Sequence, residues 1–259
     1  MNEILNLNNV SKIYEGKVPT IALNNINFFM EKGSFVGIMG PSGSGKTTLL
    51  NIISTIDYPS SGEIFVNNKN PYKLSYKNLS LFRRRELGFV FQDFNLISTL
   101  TLGENILLPL ILDGYSIKEM EKKLIEISQK LNIEDILHKK TFEVSGGQIQ
   151  RAAIARAIIH SPSLLLADEP TGNLDSKSTK DVMELFESLN KKDNVTTLMV
   201  THNPITASYC NRVIFIKDGE LFNEIHRGES RHKFYQQIID VLSFLGGDYN
   251  NDFLSIRPN

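Results

Sequence analysis

Residues 40–47 read GPSGSGKT and fit the phosphate-loop pattern G-x-x-x-x-G-K-[ST]. Glycines let the backbone turn closely around a phosphate group, so that successive N–H groups point at its oxygens. Lys46 would reach the terminal phosphates of a nucleoside triphosphate, and the Thr47 hydroxyl would be a ligand of Mg²⁺. The residues predicted to hold the nucleotide here are Gly40, Pro41, Ser42, Gly43, Ser44, Gly45, Lys46, Thr47 and Thr48.

Short apolar runs predict the strands that would position this loop. They cover residues 35–39, 89–91, 164–167 and 198–200, and the first leads directly into the loop. Runs that are apolar throughout are typical of parallel strands buried on both faces. Ligands of such sheets bind beyond the carboxyl ends of the strands, so the residues after each run are the candidates for chemistry.

Polar side chains follow the other three runs. Asp168 and Glu169 close one of them, while Gln92 and His202 come just after the other two. Asp168 can hold Mg²⁺, Glu169 can orient or deprotonate an attacking water, and either Gln92 or His202 can contact the γ-phosphate, the metal or the water. An acidic pair after a strand often only caps a helix, and a histidine there is often structural. The predicted catalytic residues are Glu169, His202, Gln92 and Lys46, and the predicted metal ligands are Thr47, Gln92 and Asp168.

A second glycine pair opens a predicted helix. Ser145 is a good N-cap, and Gly146 and Gly147 would expose backbone N–H groups where the helical run of residues 151–159 begins. With Gln148 they form a second candidate anion site, or else an ordinary capped helix. Two anion sites beside one lysine-bearing loop suggest a two-fold dimer, in which the second site of one subunit closes over the nucleotide of the other.

The pattern along the chain predicts an α/β fold: a phosphate-loop NTPase core with a mixed sheet, an N-terminal antiparallel β subdomain and an inserted α-helical subdomain. Alternating runs in residues 4–30 suggest antiparallel strands, and residues 213–222 suggest a hairpin. Helical spacing dominates residues 93–160. The predicted domains are residues 1–92 and 161–225 for the ATP-binding core with its β subdomain, 93–160 for the helical subdomain, and 226–259 for a C-terminal helical tail.

The tail carries an apolar stripe at helical spacing. The stripe consists of Phe234, Ile238, Val241, Leu242 and Leu245. It predicts either a surface for a partner or a helix face that packs on the protein's own core.

The charges of the chain are balanced, with 28 lysines and arginines against 29 aspartates and glutamates and a net charge of −1. This balance argues against a nucleic-acid partner. The single cysteine, Cys210, leaves no internal disulfide framework. No apolar run approaches the ~18 residues of a membrane span, so work on a membrane would need another chain to supply the membrane part.

Taken together and in this order, the motifs resemble those of the ATP-binding cassette ATPases, over residues 1 to about 225. The matching positions are the phosphate loop, Gln92, residues 145–148, Asp168, Glu169, residues 173–175 and His202. The resemblance implies hydrolysis of ATP with Mg²⁺ by two copies, with residues 145–148 facing the ATP of the second copy and residues 173–175 crossing the interface. It also implies that Gln92 and the segment after it touch a membrane permease. It further implies that Tyr14 stacks on the adenine, although Tyr14 could equally be an ordinary sheet residue.

Within that family the chain looks most like the bacitracin-type antimicrobial-peptide resistance transporters, in the lipoprotein-release and macrolide-export group. This finer resemblance rests on residues 52–57, 82–85, 89–96 and 234–247. It implies an ATPase held at the cytoplasmic face of the cell membrane by a permease, with a possible sensor kinase acting through that permease. The alternatives are an ATPase for lipoprotein release or macrolide-type export, a regulatory ATPase that signals to cell-wall or division machinery, and a soluble ATPase acting on ribosomes or DNA.

Overall fold

The computed structural model describes residues 3–245. The strands are β1 (Glu3–Tyr14), β2 (Thr20–Glu31), β3 (Phe35–Met39), β4 (Ser61–Val66), β5 (Leu87–Val90), β6 (Leu164–Asp168), β7 (Thr197–Val200), β8 (Arg212–Lys217) and β9 (Glu220–His226). The helices are α1 (Lys46–Ile53), α2 (Tyr76–Glu86), α3 (Leu102–Leu112), α4 (Ile117–Leu131), α5 (Gly146–Ile158), α6 (Ser176–Asp193), α7 (Pro204–Ala207) and α8 (Arg231–Leu245). Residues 1–2 of the predicted core and 246–259 of the predicted tail lie outside the described residues.

Six strands form one mixed sheet in the order β5-β6-β7-β3-β8-β9. The first five are parallel to each other, and β9 runs antiparallel to β8 as the second arm of the predicted hairpin. Every residue of β3 and β7 is buried, as expected for parallel strands covered on both faces. The predicted strands are confirmed with small shifts, since β5 ends before Phe91 and β7 begins at Thr197. This order places the ends of β3, β7 and β6 side by side.

Three antiparallel strands form a second sheet in the order β2-β1-β4, which confirms the predicted N-terminal β subdomain. Its apolar face packs on α1 and on one face of the large sheet. Leu23 of β2, Leu49 of α1 and Ile38 of β3 are fully buried in this one cluster. The helix that follows the phosphate loop is therefore held between the two sheets.

Helices cover the other face of the large sheet. Ile154 of α5, Val182 of α6 and Phe215 of β8 are fully buried in a second cluster. Helices α3, α4 and α5 lie in the stretch where helical spacing predicts them, and how the chain divides into subdomains stays a prediction. Within residues 3–245, no helix has the length and apolar character that a membrane crossing needs.

The apolar stripe of α8 packs on the protein itself. Phe234, Ile238 and Leu245 are buried in the same cluster as α5 and α6, and Val241 and Leu242 are partly buried against it. Of the two predictions for this stripe, packing on the protein's own core is therefore the one that holds for residues 231–245. Strand β9 ends at His226, and the helix of the tail begins at Arg231.

Replacing Phe234 with alanine should lower the free energy of unfolding by about 3–5 kcal/mol, because the change leaves a cavity at a fully buried site. Phe244→Ala is the matched control, since Phe244 lies on the same helix with 74% of its surface exposed. The control should change the free energy by less than about 0.5 kcal/mol. Urea unfolding measures both variants, and equal effects would contradict the packing of α8 on the core.

Candidate active site

The phosphate loop turns tightly between the end of β3 and the start of α1. At Gly45 the backbone has a φ of 103°, in the left-handed region that favours glycine. A Cβ atom there would lie 2.4 Å from the carbonyl oxygen of Ala22 in β2. Gly40 is equally confined, because its Cβ would lie 2.1 Å from the carbonyl oxygen of Ile216. Only glycine fits at these two turns, so the sequence pattern has a direct steric reason.

The start of α1 offers hydrogen-bond donors to an anion. Its N-cap residue, Gly45, makes no side-chain cap, and the first N–H groups of a helix have no partner within the helix. The Lys46 ammonium folds over the loop and donates to the carbonyl oxygens of Gly40 at 2.9 Å and Pro41 at 2.7 Å. In the described part of the chain, the buried Ser44 hydroxyl has no hydrogen-bond partner. These free donors and the cation fit a bound phosphate chain.

The end of β6 brings two carboxylates to Lys46. Asp168 pairs with Val200 of β7, and the next residue, Glu169, has a φ of 45° and donates its N–H to the Val200 carbonyl at 2.9 Å. Burial lowers the pKa of Lys46, while the charges of Glu169 and Asp168 oppose that shift. Burial and the charge of Glu169 raise the pKa of Asp168, while Lys46 opposes that change. The three predicted residues therefore share one electrostatic environment.

His202 reaches Glu169 from the end of the neighbouring strand β7. Its backbone N–H and its Nδ1 lie 3.0 Å and 2.8 Å from Oε1 of Glu169. The histidine side chain is 72% exposed, whereas that of Glu169 is 16% exposed. The two predicted catalytic residues thus form a hydrogen-bonded pair, and the two contacts from His202 fix the orientation of the Glu169 carboxylate.

Gln92 lies beside the segment that follows the acidic pair. A Cβ on Gly172 would lie 2.9 Å from the Gln92 side chain, and the Asn173 amide donates to the Gln92 carbonyl at 3.2 Å. Thr47 is exposed at the start of α1. A hydroxyl, an amide oxygen and the Asp168 carboxylate are ligand types that Mg²⁺ accepts when phosphate oxygens and waters complete its shell. The residues present therefore fit a Mg²⁺–nucleotide complex.

Residues 145–148, called the signature segment below, cap α5. The Gln148 N–H donates to the Ser145 hydroxyl at 3.4 Å, and the Ser145 N–H donates to the Gln148 side chain at 3.0 Å. The predicted N-cap is thus confirmed, and Gly147 packs against Ser178 of α6. Within residues 3–245, no hydrogen bond joins the signature segment to the phosphate loop. The structure does not bring the two predicted anion sites together in one chain.

Tyr14 lies at the end of β1, with 42% of its surface exposed. Its hydroxyl donates to Oδ2 of Asp57 at 2.8 Å. Its stacking on adenine stays a prediction. Tyr14 pairs with Thr20 of β2, two residues before Ala22, and the Ala22 carbonyl lies against the phosphate loop.

Sequence reasoning missed several residues around the site. Asp57 holds the Tyr14 hydroxyl, and the buried Gln150 of α5 donates to the carbonyl of Pro170, next to Glu169, at 2.7 Å. Arg231 of α8 lines a cleft of about 400 Å³ together with Glu169 and His202. These residues are distant in sequence from the motifs they contact, and no spacing pattern signals such contacts.

The comparison with known proteins decides the family, since residues 23–172 match the ABC transporter family. The chain is an ABC transporter ATPase. It is 64% identical to the ABC transporter ATP-binding protein YxdL of Bacillus subtilis, over 99% of this chain and 100% of that protein. It is 48% identical to the bacitracin export ATP-binding protein BceA of Halalkalibacterium halodurans, over 96% of this chain and 99% of that protein.

Two further proteins align with a smaller share of this ABC transporter ATPase. The lipoprotein-releasing system ATP-binding protein LolD 1 of Rhodopseudomonas palustris is 41% identical, over 85% of this chain and 99% of that protein. The dimeric ATP-binding cassette MJ0796, solved in a post-hydrolysis state bound to ADP and Pi, is 43% identical with a TM-score of 0.78, over 86% of this chain and 99% of that one. The family resemblance and the fold class expected from the sequence are confirmed.

We expect Glu169→Gln to leave the affinity for ATP within about twofold of wild type and to slow turnover by about 10²–10⁴-fold. The amide keeps the size of the side chain and an oxygen that His202 can contact, but it cannot accept the proton of the attacking water. Glu184→Gln is the matched control, because within residues 3–245 Glu184 pairs only with Lys180, on the exposed side of α6. Phosphate release and nucleotide titration measure the two effects, and wild-type turnover in Glu169→Gln would contradict the role of Glu169.

Proposed function

We propose that the chain hydrolyses Mg·ATP as the ATPase subunit of a membrane transporter that protects the cell against cell-wall-targeting peptides such as bacitracin. The observation that carries the catalytic part is the cluster of Lys46, Asp168, Glu169 and His202 where β3, β6 and β7 end. The peptide part is supported by the near full-length similarity to BceA. The match to LolD 1 leaves part of this chain without a counterpart.

The phosphate loop and the residues at the strand ends have distinct roles in this proposal. The phosphate loop and Lys46 bind the phosphates of ATP through N–H donors and a positive charge. Thr47, Gln92 and Asp168 would hold Mg²⁺, which would offset charge on the phosphates during transfer. Glu169, oriented by His202, accepts the proton of the attacking water. Hydrolysis then depends mainly on position and electrostatics.

A second copy of the chain would complete each site. The signature segment carries two glycines at a helix N-terminus, where backbone N–H groups attract an anion. Within residues 3–245 it makes no hydrogen bond to the phosphate loop of its own chain. We therefore expect it to contact the nucleotide that a partner copy holds. The dimeric form of MJ0796 supports this arrangement. ATP would then lie between the phosphate loop of one copy and the signature segment of the other.

An apolar groove beside Gln92 supports a membrane permease as the partner. The groove has a volume of about 420 Å³ and is lined by Phe89, Phe91, Leu108 and Leu112 among others. The rings of Phe89 and Phe91 stack with their centroids 4.0 Å apart. An exposed apolar groove of this kind takes the apolar face of a partner helix. The permease would hold the ATPase at the cytoplasmic face of the membrane.

Leu112→Asp should reduce recovery of the permease with the tagged chain by about tenfold or more, because it places a charge in the groove. The affinity for ATP should not change, since Leu112 lies at the end of α3 and outside the nucleotide site. Ile117→Asp is the matched control, because Ile117 is 71% exposed but does not line the groove. Affinity purification from detergent-solubilised native membranes measures recovery, and equal recovery of both variants would argue against the groove.

Loss of the chain should sensitise cells to bacitracin-type peptides. A deletion strain complemented with wild type or with Glu169→Gln separates the activity from the mere presence of the protein. We expect only the wild type to restore the minimal inhibitory concentration. Unchanged resistance together with defects in lipoprotein release or cell division would favour the alternative functions, and the ATP site would keep its role. A sensor kinase that recovers with the permease would extend the proposal.

A further inference from the structure

Three side chains meet beside the end of β1, and we call them the Tyr14 cluster (Lys12, Tyr14 and Asp57). The Tyr14 hydroxyl donates to Oδ2 of Asp57 at 2.8 Å, and the Lys12 ammonium donates to Oδ1 at 2.7 Å. Lys12 also donates to the Tyr58 carbonyl at 2.8 Å, and the Tyr58 N–H donates to Oδ1 of Asp57 at 2.7 Å. Both carboxylate oxygens are therefore engaged, and the orientation of Tyr14 is set by Asp57.

The hydrogen bonds of the Tyr14 cluster favour the charged form of Asp57. Burial alone would raise its pKa, but the hydrogen bonds from Lys12 and Tyr14 outweigh burial and lower the pKa. The carboxylate is thus ionised at neutral pH and accepts a charge-assisted bond from Lys12 and a bond from the tyrosine hydroxyl.

The two faces of the Tyr14 ring differ. The Lys12 ammonium lies 4.8 Å from the ring centroid, within the range of a cation–π contact. The residue as a whole keeps 42% of its surface exposed, so a ligand can reach it. A cation on one face draws electron density from the ring and favours stacking of an electron-rich ring on the other. A purine base has this character and a matching flat shape.

The elements that carry the phosphate loop also hold this ring in place. β2 pairs with the end of β1 and touches the loop where the Ala22 carbonyl meets Gly45. On the other side, the N–H of Asp57 donates to the Asn51 carbonyl of α1 at 3.1 Å. The position of Tyr14 relative to the loop is therefore set at both ends of α1. A ligand that contacts both a ring and a phosphate cradle needs such a constant separation.

We propose that Asp57 and Lys12 are positioning residues for the nucleotide base, which hold Tyr14 with one face covered and the other free to stack on a purine. This inference rests on the proposed ATP site and on the expected stacking of adenine on Tyr14, and it adds which side chains hold that ring. The Tyr14 cluster acts on the base alone, so its effect is absent for a triphosphate that lacks a base.

The test compares the affinities of the full chain for Mg·ATP and for Mg·tripolyphosphate by calorimetric titration. Asp57→Asn and Tyr14→Phe should each weaken ATP binding by about three- to tenfold and leave tripolyphosphate binding unchanged. The double variant should be weakened by less than the product of the two single effects, because both variants disturb the same hydrogen bond between Tyr14 and Asp57. Tyr58→Phe is the matched control, since it removes a hydroxyl from the neighbouring ring, which packs on Tyr72. It should change neither affinity.

Two results would overturn the inference. One is an unchanged ratio of the two affinities in both single variants, which includes equal weakening of ATP and tripolyphosphate. The other is additive weakening in the double variant. If Asp57→Asn does not fold, Tyr14→Phe makes the same comparison with loss of one partly exposed hydroxyl. Lys46→Ala distinguishes a failure of the ATP site itself, because unchanged binding of both ligands in that variant would contradict the site and not only the Tyr14 cluster.

Discussion

The active site depends on one close contact, between the turn at Gly45 and the carbonyl oxygen of Ala22 in β2. The left-handed backbone at Gly45 leaves no room for a Cβ, and it sets the start of α1 against the small antiparallel sheet. Because α1 starts there without a side-chain cap, its first N–H groups stay available to an anion, and Lys46 folds over the loop beside them. The adjacent strands β3, β7 and β6 then bring His202 and the acidic pair to the same edge, since parallel neighbours end together.

The contacts of the nucleotide site also connect it to the surfaces that would meet other chains. The signature segment starts α5, and Arg156 on the same helix donates to the Phe94 carbonyl at 3.0 Å, just after Gln92. Arg156 also lines the apolar groove. A displacement of α5 by the nucleotide of a second copy would therefore reach the segment that borders the groove. With the proposed function, α5 would link the ATP site to a permease helix in the groove.

Local motifs explain how much the sequence could predict. The phosphate loop and the Ser145 cap were predictable because each follows from backbone geometry within a few residues, and both are confirmed as structural features. The strand β4 was missed since its sequence, SGEIFV, shows only a short apolar end, and the arginine-rich α2 has a weak apolar pattern. The contact between Tyr14 and Asp57 was not predictable, because it depends on how two sheets pack around α1. The stripe of α8 was ambiguous for a similar reason, as a partner and the protein's own core need the same apolar spacing.

In the proposed function, ATP joins two copies by bridging the phosphate loop of one and the signature segment of the other. Sedimentation velocity of the full-length Glu169→Gln chain tests it most directly, because bound ATP persists in a variant that does not turn over. We expect a monomer without nucleotide and with Mg·ADP, and a dimer with Mg·ATP. A monomer that has bound Mg·ATP, or a dimer that forms regardless of nucleotide, would contradict it.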